Sequence, residues 1–251
     1  MRKLFLVLIG TASPMLLVGQ TAAELVAKNL AARGGMDKIR AIKTLRMTGR
    51  MQQGGLIAQV TRICMAPNFF RQTFTVQGMT QIQAYDGSSG WQITPFQGRK
   101  DPELLGEDEM RGMVEDADFY GPLVDYAAKD NRIEYLGHDT VDGDDAYRLK
   151  VTLANGDVFY YYLDPETYLE IRIEKMRFVR GAVMESVVNL GSYKQVAGVY
   201  FPFSMEFGGP RMDPADFSKV TIDKIEANVA VDPAQFKMTV SQPAASGRKG
   251  F

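Results

Sequence analysis

The stretch that decides the fold is YRLKVTLANGDVFYYYLDPET, residues 147–167. From Leu149 to Leu153 apolar and polar side chains alternate, which is the period-two pattern of a strand with one buried face. Asn155-Gly156-Asp157 is typical of a tight hairpin turn, and the apolar run 158–163 follows it. We therefore predict two antiparallel strands joined by a short turn.

The same pattern extends in both directions along the chain. Gly, Pro and Asn residues separate most of the strand-length segments, so neighbouring strands are joined by short turns and must pair antiparallel. Around residue 175 the apolar side chains change from odd-numbered to even-numbered positions, which predicts a bulge near Lys175. With the opening stretch, the predicted set comprises ten or eleven strands. The further segments span 44–52, 57–65, 69–76, 79–85, 91–94, 169–178, 183–195, 199–207 and 217–228.

Helical patterns are confined to the beginning of the chain and to one insertion. Residues 21–43 carry apolar residues at helical spacing, interrupted by Gly34-Gly35, which predicts either one kinked helix or two short helices. Residues 102–118 are acidic and compatible with a helix. The apolar segment 119–126 is broken by Gly-Pro, so it is either a packed helix end or an exposed apolar segment.

These elements predict an α+β fold that is mainly antiparallel β. Twist accumulates in a long antiparallel sheet and curls it. We therefore expect a strongly curved, unclosed β-barrel, a half-barrel of about ten or eleven strands, with the helices covering its concave face. We expect this domain to span residues 23–240, and residues 241–251 to form a disordered tail because they are rich in small and polar residues.

The beginning of the chain predicts export from the cytoplasm. Arg2 and Lys3 precede a short apolar run and then small residues, which is the order of a secretory signal peptide. We assign residues 1–22 to a cleavable signal peptide, with alternative cleavage points between Gly19 and Ala23. The apolar run is too short for a spanning helix, and no later segment approaches that length. The mature protein is expected to be soluble, with no transmembrane segment.

Composition excludes several classes of function. The formal net charge of −1 offers no basic excess for a phosphate backbone, so nucleic acid is not an expected partner. Cys64 is the only cysteine, so no intramolecular disulfide can form. His138 is the only histidine, and its neighbours predict an exposed strand residue. We expect no enzyme, no cofactor and no metal site; a hydrolase using two carboxylates is the catalytic alternative.

An apolar surplus is the chemical feature that stands out. The chain has 14 Met, 14 Phe and 11 Tyr. Methionine is flexible and polarizable and suits surfaces that accept variable apolar shapes, although ordinary core packing is the alternative for each one. The candidates for an apolar ligand cavity and its lid are Met47, Met65, Trp91, Met110, Met113, Phe119, Tyr120 and Leu123.

Three stretches together resemble a known family. They are ARGGMDKI (32–39) leading into LRMTG (45–49), YDG (85–87) followed by Trp91, and VDG (141–143) continuing to YRLKV (147–151) and YLDPET (162–167). They resemble the exported proteins of the LolA-like, outer-membrane lipoprotein-sorting superfamily, which includes LolA, LolB and the lipid-sensing domain of RseB. The resemblance covers residues 25–240.

The resemblance implies an unclosed barrel covered by helices, with an apolar cavity for acyl chains, in a periplasmic protein. It also implies an arginine near the cavity that holds the closed state. No specific arginine can be matched, although Arg46, Arg50 and Arg62 lie on early strands. We expect a monomeric, non-enzymatic carrier or sensor that binds a lipid or lipoprotein acyl chain. The alternative is an RseB-like signalling or assembly module that binds an envelope protein partner.

Overall fold

A computed structural model describes residues 20–179 and 181–239. Residues 1–19 of the expected signal peptide and the whole expected tail at 241–251 lie outside the described residues. Among the helices of the described ranges, none has the length and hydropathy that a membrane span requires.

Within the described ranges, thirteen strands form one antiparallel sheet, and two short strands form a separate hairpin. The fold is therefore α+β and mainly antiparallel, as predicted. The sheet strands are β1 (Thr44–Gln53), β2 (Leu56–Met65), β3 (Phe69–Val76), β4 (Met79–Tyr85), β5 (Gly90–Thr94), β6 (Arg99–Leu104), β7 (Arg132–Val141), β8 (Asp144–Thr152), β9 (Val158–Leu163), β10 (Glu170–Val179), β11 (Ala182–Gly191), β14 (Ser204–Gly208) and β15 (Ser218–Ala227). The hairpin is β12 (Lys194–Val196) with β13 (Val199–Phe201).

The order of the strands explains how the concave face is covered. Along the sheet it is β6-β5-β4-β3-β2-β1-β15-β14-β11-β10-β9-β8-β7, so the first strand pairs with the last and the two edges are β6 and β7. The sheet is open, which confirms the predicted half-barrel. Residues 105–131 must connect one edge to the other. Helix α3 (Glu107–Ala117) lies in this connection and crosses the concave face, where it contacts β3 and β4.

The predicted helical region 21–43 contains two short helices, α1 (Ala22–Ala32) and α2 (Met36–Ala41). Thr21 and Glu24 form a capping box that satisfies backbone N–H groups at the start of α1. Gly34, with φ +129°, separates the two helices, and a Cβ on it would lie 2.2 Å from the carbonyl oxygen of Gly198. Only glycine fits this close approach, so the chain turns here rather than continuing as one kinked helix.

The core extends along the sheet, and one part of it lies between α1 and the half formed by β7 to β10. Leu25 of α1 is fully buried, and so are Leu149, Phe159 and Leu163 on the strands beneath it. Burying one such side chain stabilises the fold by about 1.5–3 kcal/mol. The segment that follows α3 completes this core, since Leu123 and Val124 are also buried. Residues 119–126 therefore include a packed segment, one of the two alternatives left by the sequence.

The structure differs from the sequence-based expectations at four places. The predicted strand 199–207 is divided into β13 and β14 at Pro202, which has no N–H to donate to a ladder. The predicted strand 183–195 ends as β11 at Gly191, and its last two residues belong to β12. Residues 102–104 belong to β6 instead of a helix. The irregularity expected near Lys175 lies between Glu170 and Arg172, in the pairing of β10 with β9. Short elements such as β6, β12 and β13 account for the strands beyond ten or eleven.

Candidate functional site

The concave face contains a cavity of about 410 Å³ between the two halves of the sheet. One wall comes from β1, β2 and β3, and the other comes from β10, β11, β14 and β15. The volume lies within the range of small-molecule sites. Most of the lining is apolar, and its largest apolar side chains are Met47, Met51, Phe74, Met205, Phe207 and Ile222.

Strand alternation directs these side chains inward. Met47 and Met51 share the concave face of β1 because side chains two and four residues apart in a strand point the same way. Met51 lies opposite Val220 of β15, and both line the cavity. Ile222 lies two residues after Val220 and shares its face, while the register shift beside Gly49 accommodates the extra residue Asp223 and places Ile225 opposite Met47.

Charged side chains attach α3 to both walls of the cavity. Glu115 of α3 accepts hydrogen bonds from Lys175 and Arg177 of β10, with Arg177 Nε at 3.0 Å. The three side chains are only 13% (Glu115), 18% (Lys175) and 26% (Arg177) exposed. The next residue, Asp116, lies 3.7 Å from Arg62 of β2. Two adjacent carboxylates thus hold one helix to opposite halves of the sheet, and α3 is positioned as a lid.

A smaller cavity of about 190 Å³ lies beside the first, and Met47 and Pro202 line both. Its other walls include Phe119 and Tyr120, whose ring centroids are 4.4 Å apart. The Tyr120 hydroxyl donates a hydrogen bond of 2.7 Å to the carbonyl oxygen of Ile42. The segment after α3 is therefore attached to the helical beginning of the chain.

Arg33 links that segment to the sheet. Its guanidinium donates two hydrogen bonds of 3.2 Å to the carbonyl oxygen of Tyr120 and lies 3.8 Å from the carboxylate of Glu170. The hydroxyl of Tyr193 donates to the backbone carbonyl of Glu170 at 2.8 Å. Burial, reinforced by the charge of Glu170, raises the pKa of Tyr193 well above its usual value. Tyr161, which also lines this cavity, has a pKa raised by burial and by the charge of Glu115.

An open, curved antiparallel sheet with a helical lid over an apolar concavity matches solved structures. A LolA superfamily protein from Nitrosomonas europaea superposes with a TM-score of 0.57, at 13% identity, over 87% of this chain and 98% of the other. The fold is that of the LolA superfamily. An outer membrane lipoprotein-sorting domain from Vibrio parahaemolyticus gives a TM-score of 0.55 at 13% identity, covering 86% of this chain and 95% of its own.

A third solved structure, that of a DUF1329 family protein from Desulfovibrio piger, gives a TM-score of 0.56 at 13% identity, over 86% of this chain and 97% of its own. No protein-family model and no curated protein matches the sequence. At this identity the shared property is the fold, which confirms the resemblance inferred from the three sequence stretches.

The LolA-like fold brings half of the sequence-predicted site residues together. Met47 lines both cavities, and Phe119, Tyr120 and Leu123 line the smaller one. Two further candidates lie on α3. Met113 extends from α3 into the core and is buried there. Met110 lines a third cavity of about 390 Å³ on the far side of α3, and its sulfur accepts a hydrogen bond from the N–H of Gly90.

Met65 and Trp91 lie on the opposite, convex face of the sheet. Trp91 Nε1 donates a hydrogen bond of 2.7 Å to the carbonyl oxygen of Phe236. Met65 pairs with Phe69, whose ring packs 5.4 Å from that of Phe236. The 3₁₀ helix Pro233–Phe236 covers this part of the convex face, so Trp91 is buried and Met65 is partly buried without facing the cavity.

Sequence reasoning missed the charged residues of the site. Lys175 and Arg177 share the face of Ile173 because β10 pairs with β11 without a shift from Arg172 to Val179. Placing the bulge near Lys175 concealed this pattern. The sequence identifies Arg62 only as an arginine on an early strand. The structure places it in the cavity beside Asp116.

The histidine and the cysteine, the residue types that most often act as catalytic bases and nucleophiles, do not line either cavity of the site. His138 Nδ1 lies 2.8 Å from Asp145 on an exposed strand pair. Cys64 is buried, and burial raises the pKa of its thiol to about 12, so the thiol stays protonated and is a poor nucleophile. Within residues 20–179 and 181–239, no three His, Cys, Asp or Glu side chains are grouped to hold a metal ion.

Proposed function

We propose that the protein is a periplasmic, non-enzymatic carrier or sensor that binds the acyl chain of a lipid or lipoprotein in the concavity. The observation that carries this proposal is the apolar cavity of about 410 Å³ beneath α3. Helix α3 would form its cover, and the segment 119–123 would cover the smaller cavity beside it. One structural neighbour is described as an outer membrane lipoprotein-sorting domain, which agrees with the proposal.

The affinity follows from the apolar area that such a site buries. Ten methylene groups transferred from water contribute about 8 kcal/mol, which corresponds to a micromolar dissociation constant. No exact polar constellation is required, because the hydrophobic effect is non-directional. Flexible methionine side chains at Met47, Met51 and Met205 can adjust to chains of different length.

A cavity-filling substitution tests the proposal. Ser186 of β11 lines the cavity, whereas its neighbour Glu185 is exposed and points to the other face. Ser186→Trp should displace about three methylenes and weaken the binding of a fluorescent fatty acid by about 2.4 kcal/mol, or about 50-fold. Glu185→Trp is the matched control and should leave the affinity unchanged.

Native mass spectrometry of gently purified protein provides the second readout, and it should show a bound lipid. The proposal is refuted if the wild-type protein is always empty and takes up no fatty acid. It is also refuted if both tryptophan variants bind as well as the wild-type protein.

A partner-binding module is the second candidate function, favoured by exposed apolar side chains at one end of the sheet. Ile57 and Met184 are each 59% exposed and lie beside the β1–β2 and β10–β11 hairpins. Pairing through β15 and β14 places both hairpins at the same end. If a protein partner docks here, Ile57→Lys with Met184→Lys should abolish its co-purification from envelope extracts and leave fatty-acid uptake intact. Equal recovery with the double variant would exclude this surface.

A further inference from the structure

We propose that the cavity selects an amphiphile with an anionic oxygen headgroup, a carboxylate or phosphate attached to an acyl chain. This inference rests on the proposed acyl-chain site and names its ligand class. Its basis is the set of charges on the cavity wall, which a purely apolar cargo would not use.

Cations outnumber carboxylates in this part of the concavity. Arg62, Lys175 and Arg177 line it, and they face Glu115 and Asp116 of α3. Three positive charges against two negative charges leave an excess of one positive charge. Removing charges from water is costly unless each finds a partner, so a partly enclosed cation excess favours an incoming anion.

Lys175 and Arg177 share one carboxylate. Both donate to Glu115, and both also lie over the ring of Phe159 on the neighbouring strand, with the Lys175 nitrogen 5.3 Å and the Arg177 guanidinium 5.8 Å from its centroid. A carboxylate or phosphate can accept hydrogen bonds from both cations at once, and such charge-assisted bonds are the strong ones. The ligand headgroup would therefore compete with Glu115 for the same two donors.

The positions along the strand give the ligand an orientation. Arg177 lies two residues from the end of β10 at Val179, and Lys175 lies four residues from it. Met47, which lines both the larger and the smaller cavity, lies further along the concave face. The headgroup would sit near the β10–β11 hairpin, with the chain extending past Met47 toward Phe119. A neutral fatty alcohol or methyl ester brings no charge to this position, so the site discriminates between anionic and neutral amphiphiles.

Displacement of a neutral fluorescent hydrocarbon from delipidated full-length protein tests the selectivity. The competitors are oleate, oleoyl lysophosphatidate, oleyl alcohol, methyl oleate and inorganic phosphate. Oleate and the lysophosphatidate should bind about tenfold more tightly than the alcohol and the ester. This factor is the lower end of the range that one hydrogen bond to a charged group contributes to binding. Phosphate alone should not displace the probe. The ranking of the two anions separates a carboxylate from a phosphate ligand.

Variants connect the selectivity to the named residues. Lys175→Met and Arg177→Met should each reduce the ratio of oleate to oleyl alcohol affinity about tenfold with little change for the alcohol. Glu115→Gln, which removes the competing carboxylate, should raise the ratio. Arg50→Met is the matched control, since Arg50 pairs with Asp223 at an exposed position outside the cavity.

Equal affinity of the wild-type protein for oleate and oleyl alcohol would overturn the headgroup proposal and leave the acyl-chain site standing. Failure of every amphiphile and of the probe to bind would refute both. A ratio unchanged in folded Lys175→Met and Arg177→Met, checked by circular dichroism, would also overturn the assignment. Lys175→Arg keeps the charge and should keep the selectivity.

Discussion

Replacing Glu115 with glutamine should release the lid without unfolding the sheet. The carboxylate accepts hydrogen bonds from Lys175 and Arg177 in a largely buried position. A hydrogen bond to a charged group is worth about 1.5–3 kcal/mol, and glutamine can still accept one of them. We expect the free energy of opening α3 to fall by about 2 kcal/mol, which corresponds to roughly 30-fold faster amide exchange within the helix.

Hydrogen-exchange mass spectrometry on peptides that cover residues 107–117 measures this change directly. Glu107→Gln, in the first turn of the same helix, removes an equal charge outside the ion-pair cluster and should change exchange much less. Peptides from β9, which lies in the core, should exchange as in the wild-type protein. Unchanged exchange in α3, or an equal acceleration in β9, would refute the account of the lid.

Two further predictions concern the buried groups around the smaller cavity. Arg33→Met should lower the free energy of unfolding by about 3 kcal/mol because it leaves the carboxylate of Glu170 buried without its cation. Urea denaturation measures this loss, and the double variant with Glu170→Gln should recover part of it. Full stability of the single variant would contradict the pairing. The free energy of unfolding should also fall as the pH rises through 9 and 10, the ordinary pKa values of cysteine and tyrosine. The folded protein holds the pKa values of Cys64, Tyr161 and Tyr193 above these values, so the unfolded chain loses its protons first and is favoured at high pH. Urea midpoints between pH 8 and 11 measure this, and a flat profile would contradict it.

Most of the fold could be predicted from local patterns, because each hairpin shows alternating apolar and polar residues in its strands and typical turn residues between them. The division of a predicted strand at Pro202 and the short strand β6 escaped because elements of three to six residues carry little periodic signal. The pairing of β1 with β15 joins the two halves of the sheet. It could not be predicted from local patterns because it depends on contacts between residues that are distant in the sequence.

The site was less predictable because period two shows which residues share a face but not which face lines the cavity. Met65 and Trp91 satisfy the apolar pattern as well as Met47 does, yet a 3₁₀ helix more than 140 residues after Trp91 covers them on the convex side. Lys175 and Arg177 would be expected to face solvent on a half-buried strand. Only the position of α3 across the sheet shows that they face the cavity.

The measurement that tests the central claim most directly is methionine-methyl NMR with a stoichiometric spin-labelled fatty acid. Methionines are distributed along the described residues from Met36 to Met238, so they report on both faces of the sheet. The acyl-chain proposal predicts selective broadening of Met47, Met51 and Met205, which line the cavity, while Met65 on the convex face stays sharp. Broadening centred on Met65, or no selective broadening at saturation, would contradict it.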